Sequence, residues 1–177
     1  MHPQTRTMLW LNLLGGAAVL GSYAYGLARH PEGGEALWGG VRPQLRPLYT
    51  AGMVLAALGY LGFTTFLLVH LDPAEARVGR RFRFPLFDWL YVGILIPSAS
   101  WMPLTWGMIE QPSAALWWGI RAILAAVGLA ALGTVVALGM GWPKAPRWAH
   151  RLALVGSIVF LLHTGVLDAL VWPAVFG

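Results

Sequence analysis

Residues 114–140 read AALWWGIRAILAAVGLAALGTVVALGM, and the one charge in that stretch is Arg121. A bilayer's hydrocarbon core takes about 20 helical residues to cross, so the stretch is long enough to span it. Four more stretches, residues 8–28, 47–70, 85–109 and 147–172, are as apolar and about as long. Lipid offers no partner to an open sheet edge, so apolar segments of this length are helices. The sequence predicts an all-α integral membrane protein, a single domain over residues 1–177 built as a five-transmembrane-helix bundle.

Composition agrees. Hydrophobic residues make up 58% of the chain and charged residues 11%, against about 25% charged in an ordinary soluble domain. The net charge of +5 does not mark a nucleic-acid binder, because the basic residues gather at predicted helix ends. Arg6, then Arg77, Arg80, Arg81 and Arg83, then Lys144, Arg147 and Arg151 fall on one side of the bundle. Arg29, Arg42 and Arg46 fall on the other. The positive-inside rule then orients a multi-pass protein with its N-terminus inside and C-terminus outside, and the cytoplasmic membrane is the expected home. With no cysteine in the chain, disulfides, thiolate metal sites and cysteine nucleophiles are excluded.

The first loop, from Arg29 to Arg46, carries Trp38, Arg42, Pro43 and Arg46 and is expected to lie ordered over the bundle. The loop of arginines after Asp72-Pro73 reads as a solvated topology loop. Glu110-Gln111-Pro112-Ser113 is so short that the third and fourth helices must form an antiparallel hairpin. Gly128 and Gly133 make the fourth helix a packing helix, since small residues let membrane helices approach.

Ten tryptophans belong by default to the interfacial belt, and Trp10, Trp38, Trp117, Trp118, Trp142, Trp148 and Trp172 lie near predicted helix ends. Trp101 and Trp106 do not. They lie in a helix that Pro97 and Pro103 are expected to kink, beside Ser98, Ser100 and Thr105, as the wall of a binding cavity would. Asp168 is an intramembrane carboxylate without a neighbouring charge in sequence, and such a group is expected to face the bundle interior and to function. His163, five residues earlier, does not share an α-helical face with it, so Arg121 is the partner the sequence offers. His70 and His150 match in depth as a haem pair would, yet both sit at helix ends, where a histidine needs no ligand role. No His and carboxylate cluster supports a metal, and HExxH, GxSxG and phosphate-loop motifs are absent. No catalytic or metal-binding residue is therefore assigned, and an enzyme is not the leading reading.

Ile96-Pro97-Ser98-Ala99-Ser100-Trp101-Met102-Pro103-Leu104-Thr105-Trp106 resembles the third-helix pattern L-N-x-x-W-x-P-L-F-F of the translocator protein family, the tryptophan-rich sensory proteins or peripheral-type benzodiazepine receptors. The W-x-P-L core is intact, with Ser98 at the family's asparagine and Thr105-Trp106 at its aromatic pair. Phe160 and Leu167-Asp168 stand where that family has an aromatic and then L-N, with aspartate replacing asparagine. Trp38-Gly39-Gly40-Val41-Arg42-Pro43 is similar to its first-loop W-Y-x-x-L-x-K-P, two residues shorter. Leu58-Gly59-Tyr60 resembles its M-G step.

The resemblance implies a receptor or carrier, often a homodimer, that binds a hydrophobic planar ligand beneath the first loop. Porphyrins or other tetrapyrroles, haem among them, or sterol-like lipids are the ligands it implies, with no cofactor required. Its ligand-binding residues here are Trp38, Arg42, Ser98, Trp101, Thr105, Trp106, Phe160, His163, Thr164, Leu167 and Asp168. Arg42 and Arg46 at the mouth are placed to hold propionates. Two other readings are an accessory subunit of a larger membrane complex and a small membrane enzyme using Asp168 and His163 as acid and base.

Overall fold

Five helices in the computed structural model are long and apolar enough to cross a membrane: Pro3–Arg29, Pro43–His70, Pro85–Glu110, Ala114–Gly139 and Arg147–Phe176. The structure describes every residue except Glu32, Arg80, Arg81, Gly141, Pro143, Lys144 and Gly177. Of the basic residues assigned to the membrane edge, Arg80, Arg81 and Lys144 thus lie outside the described residues.

Helix α1 (Pro3–Arg29) begins five residues before the predicted start, because polar Gln4, Arg6 and Thr7 continue the helix beyond the apolar stretch. His2 caps it by accepting the Gln4 amide, and Pro3 takes a first-turn position where its missing N–H does no harm. Helix α2 (Arg46–Thr65) passes into a π-helical turn, Phe66–His70. Helix α3 (Pro85–Glu110) runs continuously through Pro97 and Pro103. Each proline only withholds one amide from the carbonyl four residues earlier. Ser113 caps α4 (Ala114–Gly139) by accepting the Leu116 amide.

The fifth span is the irregular one. Its α5 (Arg147–Leu161) gives way to a π-helical segment, Leu162–Val171, and ends as α6 (Trp172–Phe176), beyond the predicted end at 172.

The helices pack in the order α1 on α3, α3 on α4, α4 on the fifth span, and α5 on α2. Glycines set the closest approaches. Gly59 of α2 meets Gly156 of α5 backbone to backbone, and Gly128 of α4 lies against Gly165. A Cβ at Gly133 would reach 2.7 Å from Leu90 Cδ2, which fixes the α3–α4 hairpin. The Tyr60 hydroxyl donates to Asn12 Oδ1 at 2.6 Å and ties α1 to α2, while Thr64 and Tyr91 share a 2.6 Å hydrogen bond between α2 and α3. Phe160 belongs to this half of the core, stacked among Tyr60 and Phe63.

The arginine-rich loop is more ordered than a solvated linker. Asp72 caps the Ala74 amide at 2.9 Å. Two short strands, β1 (Arg77–Val78) and β2 (Phe82–Arg83), pair antiparallel with Arg77 opposite Arg83. Ala76, Val78 and Phe84 are buried in the main apolar core, so the apolar residues between the arginines plug this end of the bundle.

The outside of the bundle is apolar where lipid would touch it. Leu14, Leu20, Leu48, Leu58, Leu129 and Leu170 are all exposed, as suits helices whose outer faces meet lipid.

Candidate functional site

At the end of the bundle that carries the first loop, aromatic rings from four elements meet beside the segment that holds His163 and Asp168. The π-helical segment creates the geometry. In an α-helix, residues five apart point about 140° apart. In a π-helix the hydrogen bonds run to the fifth residue and the turn widens, so His163 and Asp168 share a face. His163 Nε2 lies 3.6 Å from Asp168 Oδ2. The sequence expectation that these two residues stay apart is therefore corrected, and so is the Arg121 partnership. The Arg121 guanidinium lies over Trp117 and Trp118 at 5.7 and 5.4 Å, on an exposed face.

Gly52 of α2 allows His163 its position. A Cβ there would stand 2.8 Å from His163 Nδ1. One turn nearer the loop, the Tyr49 hydroxyl donates to the Leu167 carbonyl at 3.2 Å and its ring meets His163 edge-on. From α1, Tyr23 tilts against Trp101 of α3 at 5.6 Å, and Trp101 meets Trp172 at 5.7 Å.

The first loop closes the top through two turns of 3-10 helix, Gly33–Trp38 and Pro43–Leu45. Trp172 Nε1 donates to the Leu37 carbonyl at 2.9 Å, and the Gly40 amide donates to the Val175 carbonyl at 2.7 Å. Gly39 has φ +53° and faces the Phe176 ring closely. A left-handed backbone pressed on a ring suits only glycine. Trp38 stands edge-on to Tyr49 at 6.2 Å with the Arg46 guanidinium over its other side at 5.5 Å.

Of the residues expected to bind a ligand, Trp38, Trp101, His163, Leu167 and Asp168 come together here. Thr105, fully buried, lies one turn beyond Trp101 on the same helix. Several others do not join them. Phe160 packs in the other half of the core, because it faces Tyr60 and Phe63. Thr164 donates to its own helix, at the Phe160 carbonyl. Ser98, half-buried, makes no side-chain hydrogen bond among the described residues. Trp106 stacks on His30 at 3.8 Å beneath Gly33, so it props the start of the loop. Arg42 is exposed, and Arg46 pairs with Glu35, which leaves it poorly placed to hold a propionate. The two depth-matched histidines each have a local contact. His150 Nε2 lies 2.8 Å from the Leu138 carbonyl, and His70 packs edge-on against Trp148.

Sequence reasoning missed Tyr23, Tyr49 and Trp172. Trp172 had been assigned to the interfacial belt with Trp142, yet both are buried, whereas Trp10, Trp118 and Trp148 are exposed as a belt requires. The spacing of Trp172, four residues beyond Asp168, was the available signal for a shared face.

Among the described residues, six buried side-chain atoms have no hydrogen-bond partner: Asp88 Oδ1 and Trp142 Nε1 by the arginine-rich loop, and a further four, Trp101 Nε1, Thr105 Oγ1, Trp106 Nε1 and His163 Nδ1. All four belong to the half of the bundle under the first loop. Native folds partner nearly all such atoms, so this region holds polar atoms that water or a guest would satisfy. Set against protein-family models, curated proteins and solved structures, the chain matches none.

Proposed function

We propose that this protein is a membrane receptor or carrier that binds a hydrophobic, planar ligand among Tyr23, Tyr49, Trp101 and Trp172, beneath the first loop, as the resemblance to the translocator proteins implies. The observation that carries this reading is the pair of buried, unpartnered nitrogens at those rings, Trp101 Nε1 and His163 Nδ1. A rigid aromatic guest stacks on indole faces, and heteroatoms on its edge satisfy donors such as Trp101 Nε1. The loop is held to the fifth span by two hydrogen bonds and the Phe176 contact, so lifting it admits the ligand without unpacking the helices. On the positive-inside reading, this mouth faces away from the cytoplasm.

Protoporphyrin IX dimethyl ester, planar and uncharged, tests the proposal when titrated into the protein in nanodiscs with tryptophan fluorescence as readout. Saturable quenching at one ester per chain is expected, weakened roughly three- to tenfold in Trp101→Leu for the loss of one stacking partner. Quenching that never saturates, or that Trp101→Leu leaves unaltered, would refute it.

The approach of His163 to Asp168 favours a second reading, an intramembrane acid and base acting on the bound ligand. It requires chemical conversion of a bound planar probe that both Asp168→Asn and His163→Ala abolish.

A further inference from the structure

Asp168 brings a carboxylate into the aromatic site, and the groups around it say what should meet that carboxylate. No guanidinium or ammonium among the described residues is paired with it. From the first loop, Arg46 is engaged by Glu35 and lies over Trp38. From α4, Arg121 lies over Trp117 and Trp118. From the end of α1, Arg29 lies over Tyr25, and His30 stacks on Trp106 within 3.5 Å of Glu110. The elements packed about Asp168 otherwise present Tyr23 and Tyr49, and His163 is its one basic neighbour. The His163 side chain is 8% exposed and that of Asp168 28%, so the carboxylate remains open to a guest.

Aromatic faces attract cations through their quadrupole, most strongly when water is excluded. A carboxylate held at membrane depth is stabilised by an opposite charge and opposes a like one. An anionic ligand therefore meets repulsion at Asp168, where the His163 imidazole is the one basic group shown beside it, whereas a positively charged ring system gains from both the carboxylate and the indoles.

We infer that the ligand of this site is an organic cation, a planar aromatic whose positive charge lies at Asp168 and whose rings lie against Trp101 and Trp172. The inference rests on the ligand-binding reading above and narrows it to one charge class. Three probes with the same ring system separate the two: N-methylacridinium, a permanent cation; acridine, neutral at pH 7.5; and acridine-9-carboxylate, an anion. Each is titrated into the protein in nanodiscs of phosphatidylcholine, a lipid without net charge, following saturable tryptophan quenching.

The wild type should bind the cation at least about tenfold tighter than acridine, with the anion weakest. In Asp168→Asn the ratio of cation to acridine affinity should fall to within about twofold, and Asp168→Glu should restore the preference. Because the preference is read first on the wild type, it is decided even if Asp168→Asn fails to fold. Saturable binding of acridine with no preference for the cation would overturn the charge assignment and leave the binding site standing. Absence of saturable binding by all three would overturn both.

Discussion

The position of His163 depends on one missing methyl group. Gly52→Ala places a Cβ 2.8 Å from His163 Nδ1, 3.4 Å from Cε1 and 3.5 Å from Leu167 Cδ1. The ring cannot simply swing away, because His163 is buried and Tyr49 borders it edge-on. It must retreat by several tenths of an ångström, and overpacking of this kind costs about 1–3 kcal/mol. Gly62 on the same helix is the matched control, since a Cβ there meets nothing within 4 Å.

Both substitutions gain about 1 kcal/mol of helix propensity, so their difference isolates the clash. Equilibrium unfolding in mixed detergent micelles should find Gly52→Ala about 1–3 kcal/mol less stable than Gly62→Ala. In a His163→Ala background that difference should shrink to a few tenths of a kcal/mol, the coupling expected of touching residues. If Gly52→Ala proves as harmless as Gly62→Ala, the packing of α2 against the π-helical segment is wrong, and with it the geometry of the site.

Three further outcomes follow from the same contacts. Tyr60→Phe leaves Asn12 Oδ1 without its donor and should destabilise by about 1–3 kcal/mol, whereas Tyr60→Phe with Asn12→Leu should recover most of that loss in the same unfolding assay. Trp172→Phe removes the hydrogen bond to the Leu37 carbonyl, so amides across residues 33–45 should exchange hydrogen faster while those of α4 keep their protection. Glu35→Gln breaks a pair whose carboxylate is largely exposed, and unfolding should register less than about 1 kcal/mol.

The five spans were legible because the hydrocarbon core imposes a length and lipid forbids unpaired backbone, both of which show directly in hydropathy. Ends were less legible. Gln4, Arg6 and Thr7 extend α1 where hydropathy falls, since helices do not stop at the apolar limit. Trp101 and Asp168 stood out because each is anomalous for its depth. The pairing of Asp168 with His163 did not, because the rule for neighbours on a helix presumes 3.6 residues per turn, and the segment Leu162–Val171 departs from it. Tyr23, Tyr49 and Gly52 lie far from Asp168 in the chain, and only the packing order of the helices brings them to it. Phe160 was misplaced because it lies nearer the middle of the bundle, in the half of the core where it faces Tyr60 and Phe63.

The most direct measurement of the central claim is the stoichiometry and aromatic dependence of planar-ligand binding. Protoporphyrin IX dimethyl ester should quench tryptophan fluorescence to saturation at one per chain, with weaker binding in both Trp101→Leu and Trp172→Leu. Unsaturable quenching, or an affinity indifferent to both tryptophans, would contradict the account.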